Sequence, residues 1–205
     1  MKNTGTAFWL HAALLTVFIG ASSAPSPLYE FYAREWGLGS AAVTVVFAVY
    51  AVAVLLTLLV VGSLADHLGT RPVLLGAVVL QIGAMMTFAF APGPGMLLAA
   101  RALQGVATGA AMGAAGAALL AFEGTARRGR GSLVNSAASP VGLSIGALGS
   151  ASLVRFLPEP TKTVYFFLAA LLLVLGIALL WLPSAGRIAP GWLRSLVPEA
   201  RVPSS

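Results

Sequence analysis

The sequence has no cysteine and only two histidines, His11 and His67. Without cysteine there is no disulfide, no thiolate metal site and no cysteine nucleophile, and two histidines cannot build a histidine-rich metal centre. Charge is equally scarce: Lys, Arg, Asp and Glu make up 9% of the 205 residues, and 59% are hydrophobic. A soluble domain carries roughly 25% charged residues. A water-facing surface cannot be built from so few, so the solvent of this chain is lipid. The net charge of +6 does not point to nucleic acid, because no basic stretch is interleaved with aromatics. Basic residues gather on one side of a membrane protein instead. No metal and no cofactor is expected.

Six stretches lack formal charge: 3–29, 36–65, 72–100, 102–122, 131–154 and 163–186. A spanning helix needs about 20 mostly apolar residues, so each run holds one span and none holds two. The first run reads as an uncleaved span, since its only basic flank is Lys2 and five more spans follow. The breaks carry turn chemistry. Pro25 and Pro27 end the first span, Ser40 starts the second as an N-cap, and Ala91-Pro92-Gly93-Pro94-Gly95 is a tight uncharged link. Period-two alternation, the mark of a membrane barrel, is missing. The expected fold class is an all-α membrane protein of six spans over residues 1–183. Residues 184–205, with Pro190, Pro198 and Pro203 among four charges, are too polar to span and form a cytoplasmic tail.

Orientation follows from Lys and Arg. With the amino terminus inside, the inner segments hold Lys2, Arg71, Arg127, Arg128, Arg130, Arg187, Arg194 and Arg201, and the outer ones only Arg34, Arg155 and Lys162. That asymmetry places both termini in the cytoplasm of a plasma-membrane protein. Tyr29, Phe31, Tyr32 and Trp36 then fall in the first outer segment, where an aromatic belt meets the headgroups.

Arg101 is the costliest residue. It sits in the fourth span, about 10 Å below the outer boundary at 1.5 Å per residue, where an Arg costs about 2.5–3.5 kcal/mol on insertion scales. Either it snorkels to the headgroups, or it faces a wet interior and pairs with a substrate, a carboxylate or a proton-linked network. Gln104, one turn along, can share that network. Gly105, Gly109 and Gly113 form a small-residue ridge on the same span, suited to close approach of another helix. Gly109 to Gly116 lacks the lysine and the preceding strand of a phosphate loop.

Between the second and third spans the chain reads Gly62-Ser63-Leu64-Ala65-Asp66-His67-Leu68-Gly69-Thr70-Arg71-Pro72. This resembles the signature loop of the major facilitator superfamily, with Gly62, Leu64, Asp66, Gly69 and Arg71 in register and His67 and Thr70 in place of two basic positions. Arg101-Ala102-Leu103-Gln104-Gly105 is similar to the family's fourth-helix motif, Arg-x-x-Gln-Gly, and lies about 35 residues downstream of Asp66. The resemblance runs from about residue 7 to the end and is nearest to actinobacterial-type facilitators. It implies an amino-terminal six-helix half of a secondary active transporter of small molecules, with Arg101 and Gln104 in a proton-coupling network. The implied partners are the bilayer, a small-molecule substrate, protons, and a second six-helix half supplied by a separate chain or by a homodimer. The tail then resembles the start of the linker between halves. The fifth span departs from the drug-antiporter pattern and keeps only Pro140, which implies a kink. Cavity-facing candidates for substrate contact are Thr16, Ser22, Ser23, Thr108 and Ser139.

Two rival readings are weighed against this one. A non-transporting fragment or accessory membrane subunit would keep the motifs by descent. An intramembrane serine protease would use Gly142-Leu143-Ser144-Ile145-Gly146, but no histidine follows His67 to serve as base. The lack of cysteine makes topology directly testable. Single cysteines replacing Gly39, Gly95 and Thr161 are expected to react with an impermeant thiol reagent added outside, and those replacing Thr70, Gly129 and Ser195 are not; the opposite pattern would reverse the orientation.

Overall fold

The structure, a computed structural model, describes residues 4–124 and 128–182, with the backbone alone for 61–67. It is all-helical: α1 (Thr4–Ser23), a 3-10 turn (Ser26–Leu28), α2 (Tyr29–Trp36), α3 (Ser40–Leu68), α4 (Thr70–Ala89), α5 (Pro94–Phe122), α6 (Arg130–Phe156) and α7 (Pro160–Leu180). Among the described residues, six helices are long and apolar enough to cross a membrane, α1 and α2 counting as one.

Two of the breaks differ from the sequence expectation. The stretch from Gly62 resembles a loop in sequence, but α3 runs on to Leu68 and only Gly69 separates it from α4. Gly69 takes φ 83°, a left-handed value that a side chain would strain. Of the signature residues, Gly62 lies within α3, the side chains of Leu64 and Asp66 lie outside the described residues, and so does the whole tail 184–205. After Pro27 the chain does not run as a headgroup loop either. It coils into α2, closed by Gly37 at φ 65°, and Tyr29 and Tyr32 turn into the core, while Phe31 stays exposed. Helical periodicity explains this: Tyr29 and Tyr32 are three apart on one face, with Glu30 and Arg34 on the other, paired at 2.5 Å.

α1 and α5 form the centre. In their most apolar stretches 67% and 56% of residues are buried, against 11% for α3 and 22% for α6, which lie at the edges. α3 and α4 pack on α5, α6 packs on α1, and α7 packs on α4. Lipid gives little hydrophobic drive for helices to associate, so close backbone approach has to supply it. Two glycine seams do so. Gly105 and Gly109 of α5 meet α3, where an added Cβ would fall 2.7 Å from the Tyr50 carbonyl and 2.8 Å from that of Val54. Gly142 and Gly146 of α6 meet α1 around Gly20; a Cβ on Gly142 would lie 2.6 Å from the Thr16 carbonyl. At the end of the bundle where α1 begins, the Glu123 carboxylate accepts from the amides of Gly129 and Gly131 at 3.1 and 2.8 Å, tying α5 to α6. There Arg71 also donates to the Leu180 carbonyl, tying α4 to α7.

The α1–α6 seam predicts a contrast between two glycines of one helix. In Gly146→Ala the new methyl meets the backbone of Gly20, at 2.6 Å from its carbonyl carbon, whereas at Gly149 it meets open space. Gly146→Ala is expected to cost about 1–3 kcal/mol, and Gly149→Ala is expected to be neutral or slightly stabilising. Thermal unfolding of the two purified variants in detergent checks this.

Candidate functional site

The site begins with two prolines. In an α-helix the amide of residue i+4 serves the carbonyl of residue i, and proline has no amide hydrogen. Pro25 therefore leaves the Ala21 carbonyl, at the end of α1, without its normal donor. A bare carbonyl inside a membrane costs several kcal/mol, so a neighbouring helix must serve it. Gln104 of α5 does, donating from Nε2 to the Ala21 carbonyl at 2.9 Å. Arg101 serves the next carbonyl, that of Ser22, from Nη1 at 2.9 Å. Ser150 of α6 donates to the Ala24 carbonyl at 2.5 Å.

Arg101 is wholly buried. Its Nη1 also donates to Gln104 Oε1 at 2.7 Å, and its Nε donates to the Tyr29 hydroxyl at 2.5 Å. The guanidinium carbon lies 5.3–5.7 Å from the ring centres of Tyr29, Phe47, Tyr50 and Phe88. Hydrogen bonds to a charged group contribute about 1.5–3 kcal/mol each. Three of them, with cation–π attraction added, outweigh the roughly 2.5–3.5 kcal/mol cost of inserting the charge. Arg101 thus has no need to snorkel, and it does not. Among the described residues all its partners are neutral, and Nη2 has no hydrogen-bond partner.

The aromatic shell continues outward. Phe88 stacks on Tyr165 of α7 at 4.9 Å, the Tyr165 hydroxyl is 3.1 Å from that of Tyr32, and Tyr32 stacks on Trp36. Four helices and α2 therefore converge on one cation.

The sequence candidates divide. Arg101, Gln104 and Ser22 come together, Ser22 through its carbonyl; its hydroxyl bonds the Ile19 carbonyl at 2.6 Å. Thr108 is buried on α5 two turns from Arg101. Thr16 and Ser23 belong instead to the α1–α6 seam. Thr16 bonds back to Ala12 at 2.8 Å, and Ser23 reaches the Leu143 carbonyl at 2.9 Å. Ser139 is half-buried on α6 beside Pro140, which sits within that helix without ending it. Gly113 is half-buried on α5. Gly142 and Gly146, which gave the protease-like spacing, are packing glycines, and Ser144 between them is exposed. Sequence reasoning missed Tyr29, Phe47, Tyr50 and Phe88. Tyr29, two residues beyond Pro27, carried a signal: it is the first side chain able to fold back over an opened helix end.

Removing the Tyr29 hydroxyl leaves a charged donor unserved. Tyr29→Phe is expected to cost about 1.5–3 kcal/mol, and Tyr32→Phe, which loses a neutral bond to Tyr165, about 0.5–1.5 kcal/mol. Thermal melts of the two variants rank them.

No individual curated protein matches this chain. A comparison with family models does match: the profile of the Major Facilitator Superfamily aligns with residues 10–196, which reaches all six membrane-length helices, the first from residue 10 on, and takes in the whole Arg101 network. Members of that family are transporters, not enzymes. A six-helix membrane bundle, a buried arginine on its fourth span and a family match over nearly its whole length lead to one assignment: this multi-pass membrane protein belongs to the Major Facilitator Superfamily.

Proposed function

We propose that this chain acts as the amino-terminal six-helix half of a proton-coupled secondary transporter of small molecules, with both termini on the cytoplasmic face of the plasma membrane. The observation that carries the reading is the Arg101 cluster. A cation held in the bundle interior by neutral acceptors alone is sensitive to any charge that arrives nearby, because low dielectric strengthens the interaction. A proton or a charged substrate entering or leaving the neighbourhood would change how firmly Arg101 holds the Ser22 carbonyl and Tyr29. Those bonds join α1 and α2 to α5, so a local change of charge becomes a change in helix packing. The signature residues Asp66 and Arg71 belong to the same reading, at the end of the bundle remote from α2.

A second six-helix unit completes the translocation path. The support is the exposure of α3 and α6, whose outward side chains include Leu55, Leu56 and Leu59 on α3 and Leu143, Ile145 and Leu148 on α6. Facilitator substrate sites lie between two such units near the midplane.

Flux in reconstituted vesicles tests the proposal. The 205-residue chain alone is expected to show no saturable, gradient-dependent flux, and co-reconstitution with a second six-helix unit is expected to produce it. Saturable flux from the purified chain alone would replace the half-transporter reading with a self-paired one. In the transporting assembly, Arg101→Ala is expected to abolish proton-coupled flux while the protein still inserts. Arg101→Lys should retain part of it, since an ammonium cannot reach the Tyr29 hydroxyl, the Ser22 carbonyl and Gln104 with the geometry of the planar fork. Normal coupled flux from Arg101→Ala would remove Arg101 from the mechanism.

A further inference from the structure

Along one side of the α1–α6 pair runs a groove of about 470 Å³. Trp9, Ala13 and Thr16 of α1 and Val134, Ala137 and Val141 of α6 line it. Its floor is low because the alanines leave both backbones thinly covered between larger neighbours. It is also apolar: the Thr16 hydroxyl spends its proton on the Ala12 carbonyl, at 2.8 Å. On α6 the lining runs from Val134 to Ile145, about 16 Å at 1.5 Å per residue. One leaflet of a bilayer's hydrocarbon core is about 15 Å deep, half of the whole. The groove therefore has the length of an acyl chain and not of a spanning helix.

A cation stands at the end of this groove where α1 begins. Arg130, the first residue of α6, lays its guanidinium carbon 4.8 Å from the Phe8 ring centre and 4.9 Å from that of Trp9, and Trp9 is itself a wall of the groove. The two rings stand edge to face, 85° apart with centres 5.5 Å apart, and hold the guanidinium by cation–π attraction. That attraction leaves its N–H donors unspent: among the described residues the Arg130 side chain has no ion pair and no hydrogen bond. The Glu123 carboxylate at this end is engaged with the amides of Gly129 and Gly131. Arg128, exposed two residues before Arg130, adds a second positive charge. A planar guanidinium with free donors matches a phosphate group bidentately.

We propose that the groove binds one anionic phospholipid, with its phosphate on Arg130 and an acyl chain along Ala13 and Ala137. Trp9 then spans the boundary between headgroup and chain, the level at which tryptophan collects in membranes. An anionic headgroup is favoured over a zwitterionic one because Arg128 joins Arg130 there, and each basic side chain near a membrane surface strengthens attraction to anionic lipid about fivefold. Leu143 lies two residues from both Val141 and Ile145, about 200° round α6, so a second six-helix unit on that side leaves the groove free. The site does not depend on the transport reading, and its test needs no transport.

Native mass spectrometry of the purified, delipidated full chain in detergent tests this, with phosphatidylglycerol and phosphatidylcholine of identical acyl chains as the probes. The wild type is expected to hold one phosphatidylglycerol about fivefold or more tighter than phosphatidylcholine. Arg130→Gln is expected to erase most of that preference, and Arg130→Lys to keep part of it. Ala137→Phe, whose ring fills the groove from an exposed position, is expected to weaken both lipids severalfold. Arg34→Gln, which removes a cation already paired with Glu30 at the other end of the bundle, is expected to change nothing. Equal affinity of the wild type for the two lipids overturns the proposal, and so does a preference that survives Arg130→Gln. Binding that Ala137→Phe leaves intact overturns it as well, since the chain then lies elsewhere. Displacement of the lipid by glycerol phosphate, which has no acyl chain, would mark a free-phosphate site instead, and a dimer that excludes the lipid would make a second copy the occupant.

Discussion

A helix that ends inside a membrane leaves carbonyls that water cannot serve, and in this protein the end of α1 is served by the side chains of α5. Pro25 removes the amide that would have met Ala21. Gln104 and Arg101 then take the carbonyls of Ala21 and Ser22. The arrangement solves two problems together. The open helix end gains donors, and the buried guanidinium gains acceptors. Tyr29 can reach Nε only because the chain coils back after Pro27 instead of continuing outward. The position of α2, the aromatic shell and the link through Tyr32 to α7 all follow from that closure.

The edge helices are held mainly by shape. Gly105 and Gly109 bring α3 against α5, and Gly142 and Gly146 bring α6 against α1. The two central helices thus each carry an edge helix on a glycine seam and are joined to one another by two hydrogen bonds, one of them charge-assisted. Removing a seam would release an edge, whereas removing the Arg101 bonds would loosen the centre. On the transport reading this division matters. Alternating access moves six-helix units largely as rigid bodies, and a polar network at the centre of such a unit affects its internal packing before it affects the partner.

Much was legible in the sequence because the reasons were local. Six charge-free runs can only be spans, period-two alternation was missing, and the prolines and glycines marked the breaks. Arg101 announced itself by its cost, and Gly105 and Gly109 by their spacing. The misreadings were local too. Tyr29 and Tyr32 fit a headgroup belt as well as they fit an inward-turned helix, since an aromatic side chain near a span end satisfies both patterns. The signature stretch beginning at Gly62 contains glycine, serine and an acid, all turn-compatible, yet the tertiary structure carries α3 through to Leu68.

The sequence by itself determined which segments cross the membrane, where α1 loses a donor at Pro25, and that a cation lies within the fourth span, because hydrophobic length, a missing amide hydrogen and a formal charge are properties of single residues and short runs. Only the tertiary structure decided that the fourth span's cation and glutamine meet that opened helix end, and that Gly142 and Gly146 are a seam on α1 and not a nucleophile turn. Each of these depends on which helices are neighbours and in what register, and apolar helices in lipid are nearly interchangeable until close packing and buried hydrogen bonds select one arrangement.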